Sequence, residues 1–310
     1  MSERILVFGE ALLDDFGTEQ VAGGAPFNLA RTLAAFGQPQ LMVTRVGRDA
    51  GGETIRDEFT RFGMSPEGIQ SDPARPTGRV HVTRGEDGVP HYDILPDQAY
   101  DHLEGVLALD VLRAYSPDTI CFGTLAQRSA TSCHALAALL DASPAERFFD
   151  LNLRDGWVDE SIVFTSLQQA DILKVNEQEL QTLFSWYCHT CPGTDKMDCV
   201  VLESECRSLM HNFSLKGMLV TLGARGAMYF GADGTAAHSH DVRAPAKLVD
   251  TVGAGDAFSA VFLLGRAHGW EILATLNRAN EFAGAICGIA GAVPQDLNFY
   301  KPWREAWGLA

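Results

Sequence analysis

The chain has 310 residues, and 46% of them are hydrophobic, which is enough apolar material for one large core. Aspartate and glutamate (40) outnumber lysine and arginine (24), and the formal net charge of −16 argues against a nucleic-acid binder or a polybasic membrane-surface protein. The negative charge does not argue against a phosphorylated small-molecule ligand, because backbone N–H groups, a helix N-terminus and a metal can hold phosphate locally. The N-terminal apolar run is too short for a signal sequence, and no segment is long and apolar enough to cross a membrane. We therefore expect a cytoplasmic protein.

Predicted strands and helices alternate along the chain. The first part gives a buried strand, a helix closed by glycine, a second strand and a second helix: Ile5–Phe8, Asn28–Phe36, Leu41–Val46 and Ile55–Phe62. Residues 78–94 differ, because two alternating segments flank an Asp-Gly turn and predict a β-hairpin with one wet face. The alternation then resumes with predicted strands at Thr119–Phe122, Arg147–Asp150, Ile172–Val175, Met218–Leu222 and Ala227–Phe230, and helices at Ala130–Leu140, Ile162–Gln169, Glu177–Phe184, Asp256–Ala267 and Ile272–Ile289.

This order predicts an α/β fold, a doubly wound and mostly parallel sheet flanked by helices. No linker or repeat divides the chain, so residues 1–310 are expected to form a single domain. The hairpin predicts a small β-strand lid, with strands at about 14–24 and 77–97 inserted in that domain.

Residues 250–258, with the sequence DTVGAGDAF, are the clearest candidate for chemistry. The small residues Gly253, Ala254 and Gly255 let backbone N–H groups point together, and a long apolar helix follows, which makes a binding site for an anion. Asp256 is either a helix cap or a general base beside a phosphate, and capping alone does not require Gly-Ala-Gly before it. A Walker-type P-loop is absent from the sequence.

Residues 23–30, with the sequence GGAPFNLA, are the second candidate. Adjacent glycines let the backbone approach a ligand, and the amide of Asn28 can bind hydroxyl groups. An ordinary turn before a helix is the alternative.

Together these two segments resemble the signatures of the ribokinase-like, or phosphofructokinase-B, carbohydrate kinases. The resemblance covers essentially the whole chain and is strongest to the fructokinase branch, through GEALLD at residues 9–14 and DLNLR at residues 150–154. Residues 77–80 (TGRV) and 99–101 (AYD) are similar to the lid region of that branch and its exit. Residues 185–216 depart from the family pattern.

The resemblance implies a role for each matching residue. Asp256 would be the catalytic base, and Gly253, Ala254 and Gly255 would stabilise the transferring phosphoryl group. The sugar would be bound by Asp14, Gly24, Asn28, Arg154 and Arg79. For Asp14 a solvated turn residue is the alternative, and for Arg154 an exposed salt bridge is.

The resemblance further implies ATP and Mg²⁺ as cofactors, with a monovalent cation such as K⁺ as a further candidate. Asn176 and Glu179 match an N-x-x-E motif that helps to position Mg²⁺ and its waters, although a helix N-cap with an acidic first turn explains them equally well. The nucleotide would lie against Thr221, Gly223, Gly226, Asn280 and Ala283.

The resulting hypothesis is an ATP-dependent sugar kinase that transfers the γ-phosphate to a primary hydroxyl of a monosaccharide, with fructose as the first candidate. Alternatives are 2-keto-3-deoxygluconate, ribose or a nucleoside as acceptor, or a non-catalytic sugar-binding regulator on the same fold. The resemblance also implies a homodimer formed through the lid. In the departing segment, Cys188, Cys191, Cys199 and Cys206 suggest either a zinc site or a surface insertion with buried thiols.

Overall fold

A large sheet forms the centre of the protein in a computed structural model that describes residues 3–84, 90–154, 156–188, 199–240 and 247–309. The strands in chain order are β1 Ile5–Phe8, β2 Leu12–Asp15, β3 Gln20–Gly23, β4 Gln40–Gly47, β5 Ile69–Asp72, β6 Gly78–Arg84, β7 Pro90–Ile94, β8 Thr119–Phe122, β9 Glu146–Asp150, β10 Ile172–Asn176, β11 Gly217–Thr221, β12 Ala227–Gly231 and β13 Ala236–Ser239.

Nine of the strands in the described residues pair in the order β13-β12-β11-β10-β9-β8-β1-β4-β5. The sheet is parallel from β11 to β5, and β12 and β13 add an antiparallel edge. From β1 the chain first proceeds through β4 to β5 and later continues on the other side with β8. The carboxyl ends of β1 and β8 therefore border the crevice where open α/β sheets bind ligands. The doubly wound, mostly parallel α/β fold is confirmed.

The buried strands explain this architecture. Every residue of Ile5–Phe8 is buried, and alternate residues join different apolar clusters on the two faces of the sheet, Leu6 and Phe8 on one face and Ile5 and Val7 on the other. Continuous apolar runs of this kind occur where helices cover both faces of a parallel sheet.

Helices cover both faces. They are α1 Ala25–Ala35, α2 Ala50–Arg61, α3 Gly105–Tyr115, α4 Ala130–Asp141, α5 Glu160–Gln169, α6 Glu177–Leu183, α7 Cys199–Phe213, α8 Ala254–Ala267, α9 Ile272–Ile286 and α10 Lys301–Trp307. The first helix begins at Ala25, earlier than the predicted Asn28, because Pro26 is favourable in a first turn, where its missing N–H has no partner to lose. None of the described helices has the length and hydropathy needed to span a bilayer.

Residues 185–216, which depart from the family pattern, contain a packed helix. Helix α7 lies within this segment, and its Cys206 is fully buried against the core. Cys191 and the side chain of Cys199 lie outside the described residues. No group of three or more His, Cys, Asp or Glu side chains that could hold a metal is found in the described part of the chain. The zinc hypothesis stays a prediction.

A second, smaller sheet covers one side of the crevice. In the described residues it contains four strands in the order β3-β2-β6-β7, with β2 parallel to β6 and the two outer pairs antiparallel. The predicted hairpin is confirmed as β6 and β7, while its turn, residues 85–89, lies outside the described residues. This small sheet brings Asp14 and the Gly23-Gly24 pair to the crevice.

Candidate active site

A pocket opens at the carboxyl ends of the central strands. It is lined by the last residues of β8 and β9, by residues that follow β1, β8 and β9, and by the first turns of α1: Glu10, Ala25, Pro26, Leu29, Cys121, Phe122, Gly123, Thr124, Leu125, Asp150 and Asn152. The pocket therefore occupies the place where the strand order reverses, the usual ligand position in this architecture.

The glycine loop, Gly253 to Gly255, leads into α8. At Gly253 its backbone has a conformation that only glycine adopts easily. Gly253 is the N-cap of α8 with φ of +78°, and a Cβ there would lie 2.5 Å from the Cα of Ala292. Both the left-handed conformation and the lack of space exclude a side chain. The loop is thus held close to the segment after α9.

The first turn of α8 presents unused N–H groups. The N–H of Ala254 donates to the carbonyl of Thr251 at 3.3 Å, so it closes the turn, whereas the sequence analysis assigned it to the phosphoryl group. For Gly253, Gly255 and Asp256, no acceptor for the N–H occurs in the described ranges. Free N–H groups together with a helix dipole are the features that favour an anion at a helix N-terminus.

Asp256 does not cap α8. Its Oδ2 accepts a hydrogen bond from Nδ2 of Asn28 at 2.7 Å, across 228 residues of sequence, and no side chain caps the helix. Burial raises the pKa of Asp256 to about 6, while the hydrogen bond from Asn28 opposes the rise. A carboxylate with a pKa near neutrality is suited to accept a proton.

Asp14 lies on β2 beside the glycine pair formed by Gly23, at the end of β3, and Gly24, the N-cap of α1. A Cβ on Gly23 would lie 2.4 Å from Oδ2 of Asp14, and a Cβ on Gly24, whose φ is +106°, would lie 2.7 Å from the carbonyl oxygen of Glu10. The two glycines therefore let the chain pass close to both acids. Burial raises the pKa of Asp14 to about 6.

Glu10 is a site residue that the sequence analysis did not single out. It is 4% exposed, lines the pocket and has its pKa raised to about 7 by burial, with Arg154 and Arg128 opposing the rise. In the sequence, the position of this acid just after a buried parallel strand could have identified it as a site residue.

Arg154 supplies positive charge to this group of acids. It is exposed, and its charge lowers the pKa values of Glu10, Asp14 and Asp256. No hydrogen bond or ion pair of its guanidinium is found in the part of the chain that the structure describes. The alternative of a surface salt bridge thus finds no partner there. Asn152, in the same segment, lines the pocket with a left-handed φ of +41°.

Arg79 is not brought to the crevice. It lies 3.6 Å from Asp15, on the opposite face of β2 from Asp14, because successive residues of a strand point to opposite faces. The predicted contact between Arg79 and the sugar therefore lacks geometric support.

Lys174 lies beneath the glycine loop and was also missed from the sequence. Its Nζ binds Oδ1 of Asp150 at 3.0 Å, and Oδ2 of the same carboxylate accepts from Ser259 at 2.7 Å. Burial disfavours the charge of Lys174, but Asp150 and Glu179 outweigh it and raise its pKa. A Cβ on Gly255 would lie 3.3 Å from Nζ, so a buried cation sits directly behind the loop. In the sequence, a lysine within an otherwise apolar strand could have identified it, because lysine is rarely buried without a partner.

Asn176 and Glu179 form a capping box at the start of α6. Oδ1 of Asn176 accepts from the N–H of Glu179 at 3.0 Å, and Glu179 accepts from the N–H groups of Asn176 and Leu153, both at 2.8 Å. Each oxygen of the buried Glu179 already has a donor. The pair is therefore already committed to the helix cap, and the remaining lone pair of each oxygen can accept a hydrogen bond from a water of such an ion.

The residues predicted to bind the nucleotide lie around the end of β11 and the side of α9. Gly223 and Gly226 both have positive φ, and a Cβ on Gly226 would lie 1.8 Å from the carbonyl oxygen of Ser239. Ser239 accepts from Nδ2 of Asn280 at 2.8 Å, so the amide of Asn280 already has a structural partner.

The other two predicted nucleotide residues are more open. Thr221 donates through Oγ1 to the carbonyl of Val175 at 3.3 Å, and Ala283 is half-buried on α9. The structure thus connects Gly226 and Asn280 through Ser239 and leaves Gly223 and Ala283 accessible to a ligand.

The fold and the site together define a class of protein: an α/β protein in which an open helix N-terminus lies next to a half-buried carboxylate, at the carboxyl ends of a parallel sheet. Comparison with known families identifies the family of the chain. Residues 1–296 match the pfkB family carbohydrate kinase, and the chain belongs to this family. It is therefore a sugar phosphotransferase.

Individual relatives agree with the family. The protein named probable fructokinase-4 from Arabidopsis thaliana is 30% identical over 270 residues, covering 83% of this chain and 76% of the relative. The fructokinase with bound ATP from Xylella fastidiosa has a TM-score of 0.80 at 21% identity, covering 99% of this chain and all of the other. The 2-dehydro-3-deoxygluconokinase from Thermotoga maritima has a TM-score of 0.81 at 17% identity, covering 98% of this chain and 99% of the other. The two structures show the shared fold.

Proposed function

We propose that this carbohydrate kinase transfers the γ-phosphate of ATP to a primary hydroxyl of a monosaccharide, with fructose as the first acceptor to test. The observation that carries the proposal is the half-buried carboxylate of Asp256, which is held by Asn28 instead of capping its own helix. The side chain is thereby positioned to act on a ligand in the crevice.

The proposed mechanism assigns different work to the two carboxylate oxygens of Asp256. Oδ2 is engaged by Asn28, so Oδ1 is the oxygen that accepts the proton of the sugar hydroxyl as it attacks phosphorus. In a loose transition state the proton leaves late, so a base of ordinary strength suffices. Asp14 and the amide of Asn28 would orient the acceptor.

Charge on the transferring phosphoryl group would be stabilised from the protein side by the glycine loop. The N–H groups of Gly253 and Gly255 point from the start of α8, and the buried ammonium of Lys174 lies behind Gly255. A fixed set of donors of this kind supplies a large part of the catalysis of phosphoryl transfer. It also explains how a chain with a net charge of −16 can handle a polyanion.

ATP as the donor and Mg²⁺ as its companion follow from membership of a kinase family and stay proposals for this chain. Magnesium, when bound, would neutralise charge on the phosphates of the nucleotide. Asn176 and Glu179 would accept hydrogen bonds from its waters, since each oxygen of the capping box keeps a second lone pair.

Fructose as acceptor is supported by the fructokinase relatives. A carboxylated acceptor such as 2-keto-3-deoxygluconate is the second candidate, and one observation favours it. Arg154 is exposed beside the crevice and has no ion pair in the described residues, so it can meet a carboxylate of the substrate.

The test of the base is Asp256→Asn, which removes the proton acceptor but keeps the shape of the side chain. We expect turnover to fall by about 100- to 10,000-fold with little change in sugar affinity. Asp110→Asn, at an exposed position on α3, serves as the control and should leave turnover unchanged. Turnover of the Asp256→Asn variant within tenfold of the wild-type enzyme would disprove the assignment.

The test of the acceptor is a panel of sugars assayed for ATP consumption, in the wild-type enzyme and in Arg154→Gln. If fructose is the acceptor, it gives the highest kcat/KM. If an acidic sugar is the acceptor, that sugar leads the panel and Arg154→Gln raises its KM far more than the KM of neutral sugars.

A cytoplasmic location stays a prediction of the sequence.

A further inference from the structure

Arg31, on α1, is an almost completely buried arginine with a fixed set of partners. It is 1% exposed, and its guanidinium lies 4.4 Å from the ring centre of Phe27. Nη1 donates to Oε2 of Glu58 at 2.7 Å, and Nη2 donates to the carbonyl of Ala22 at 2.9 Å and to Oδ1 of Asn28 at 2.7 Å. The guanidinium therefore joins α2, the small sheet and the site.

The contact with Asn28 has a directional consequence. An amide has one accepting side and one donating side, and Arg31 can only donate. Because Oδ1 of Asn28 is bound to Arg31, its Nδ2 must face Asp256, where it donates to Oδ2 at 2.7 Å. The chain of contacts from Glu58 through Arg31 and Asn28 thus ends on the base.

We propose that Arg31 is a positioning residue that fixes the orientation of the Asn28 amide, so that its N–H and not its carbonyl oxygen faces the catalytic base. The inference rests on the proposed role of Asp256 as that base. Arg31 itself touches neither reactant. It acts by determining which protonation state of Asp256 the neighbouring amide stabilises.

The physical argument compares the two orientations of the amide. With N–H toward the carboxylate, the amide stabilises the ionised form of Asp256, which is the form that accepts a proton. With the carbonyl oxygen toward it, the amide repels the ionised form and accepts a hydrogen bond from the protonated form. Loss of Arg31 frees the amide to turn, so the pKa of Asp256 should rise and the enzyme should lose its base at a higher pH.

Other charged and titratable groups also face Asp256 from the elements packed around it. They are Glu10, Asp14, Cys121, Asp150, Arg154 and Lys174. Among them is Asp14, whose pKa the charge of Arg31 lowers. An effect through Asp14 must therefore be separated from an effect through Asn28.

The experiment measures the pH dependence of kcat/KM for Arg31→Met, with the best acceptor of the sugar panel. We expect the acidic limb to move up by about one pH unit, which is about a tenfold loss at pH values below the limb, and a change of less than threefold on the alkaline plateau. Arg31→Lys keeps a donor and the charge, so it should restore the wild-type limb. Arg61→Gln also loses a bond to Glu58 but does not touch Asn28, so its limb should not move.

A double substitution separates the two routes. In an Asn28→Ala background, adding Arg31→Met should cause no further movement of the acidic limb, because the amide through which Arg31 acts is gone. A further movement of the limb would assign the effect to Asp14 and overturn the proposal. An unmoved limb in Arg31→Met, with activity reduced equally at all pH values, would show that Arg31 is only structural and would also overturn it.

A readout that needs no turnover completes the test and covers the case in which Arg31→Met does not fold. Enzyme labelled with ¹³C at aspartate carboxyl groups is titrated without substrate, and the signal of Asp256 is assigned by its absence in Asp256→Asn. The proposal requires a higher midpoint in Arg31→Met than in the wild-type enzyme, with Arg31→Lys close to the wild type. When Arg31→Met yields no folded protein, the proposal depends on Asn28→Ala, which must raise the midpoint, and an unchanged midpoint overturns it. This titration is independent of whether Asp256→Asn abolishes turnover, so failure of the inference and failure of the proposed base are distinguishable.

Discussion

Three carboxyl groups share the crevice, and burial raises the pKa of each of them. Asp14 and Asp256 have pKa values of about 6, and Glu10 has a value of about 7. Burying acids in this way costs stability at neutral pH, because the ionised form loses its hydration. Such a cost is typical of groups that are placed for chemistry or binding rather than for folding.

The cost gives a prediction for Glu10→Gln. The native pKa of about 7 lies above the ordinary 4.5, so the native state binds a proton more readily than the unfolded state, and stability decreases as pH rises through this interval. Above it the full penalty is present. The substitution removes the charge and should raise the free energy of unfolding at pH 8.5 by about 1–3 kcal/mol, with little effect at pH 4.

Urea denaturation at the two pH values measures this difference. Glu67→Gln, at an exposed position, is the matched control and should change little at either pH. An equal change for Glu10→Gln at both pH values would contradict the argument, since it would not depend on the charge of the carboxylate.

At the scale of elements, helix α8 has a glycine with positive φ at each end, and the two positions differ in their surroundings. Gly253, before the helix, has a φ of +78° and lies against the backbone of Ala292, while Gly269, after it, has a φ of +64° and no atom within 4 Å of an added Cβ. The first glycine is needed for conformation and space, the second for conformation alone.

This contrast predicts different outcomes for two alanine substitutions. Gly269→Ala should cost about 1–2 kcal/mol of unfolding free energy, from the left-handed backbone alone, and keep turnover. Gly253→Ala must in addition displace the loop from Ala292, so it should cost more and reduce turnover by more than tenfold. Denaturation and steady-state kinetics of the two variants test this, and equal losses of turnover would contradict it.

The elements that sequence reasoning found are those with strong local patterns. The strand Thr119–Phe122 was predicted with its observed ends, because it is a short apolar run. The strand β5, at the edge of the large sheet, was missed because Gln70 and Asp72 are polar. Both are buried with partners from other segments: Arg45 on the neighbouring strand binds both side chains, and Gln70 also exchanges hydrogen bonds with the backbone of Glu104. A strand whose burial depends on a distant partner leaves no periodic signal.

At the scale of the whole molecule, the small sheet presents open edges and exposed apolar side chains. Its outer strands β3 and β7 have no further partner in the described residues, and Phe16 and Tyr92 are 42% and 49% exposed. Strand edges of this kind are usually paired or covered. We therefore predict a homodimer formed through the small sheets of two copies.

Sedimentation at micromolar concentration tests the assembly. Phe16→Glu should shift the protein toward the monomer, while Leu273→Glu, on α9 at a similarly exposed apolar position, should not. A wild-type protein that sediments only as a monomer would refute the prediction.

The sequence by itself determined the alternation of strands and helices and the glycine loop before Asp256, because runs of apolar residues and glycine before a helix act over a few neighbouring residues. The tertiary structure alone decided which side chains meet. It placed Asn28 on Asp256, put Lys174 behind the loop and turned Arg79 away from the crevice. These contacts depend on the order of strands in the sheet and on the face to which each residue points, and both are set by packing between segments that lie far apart in the chain.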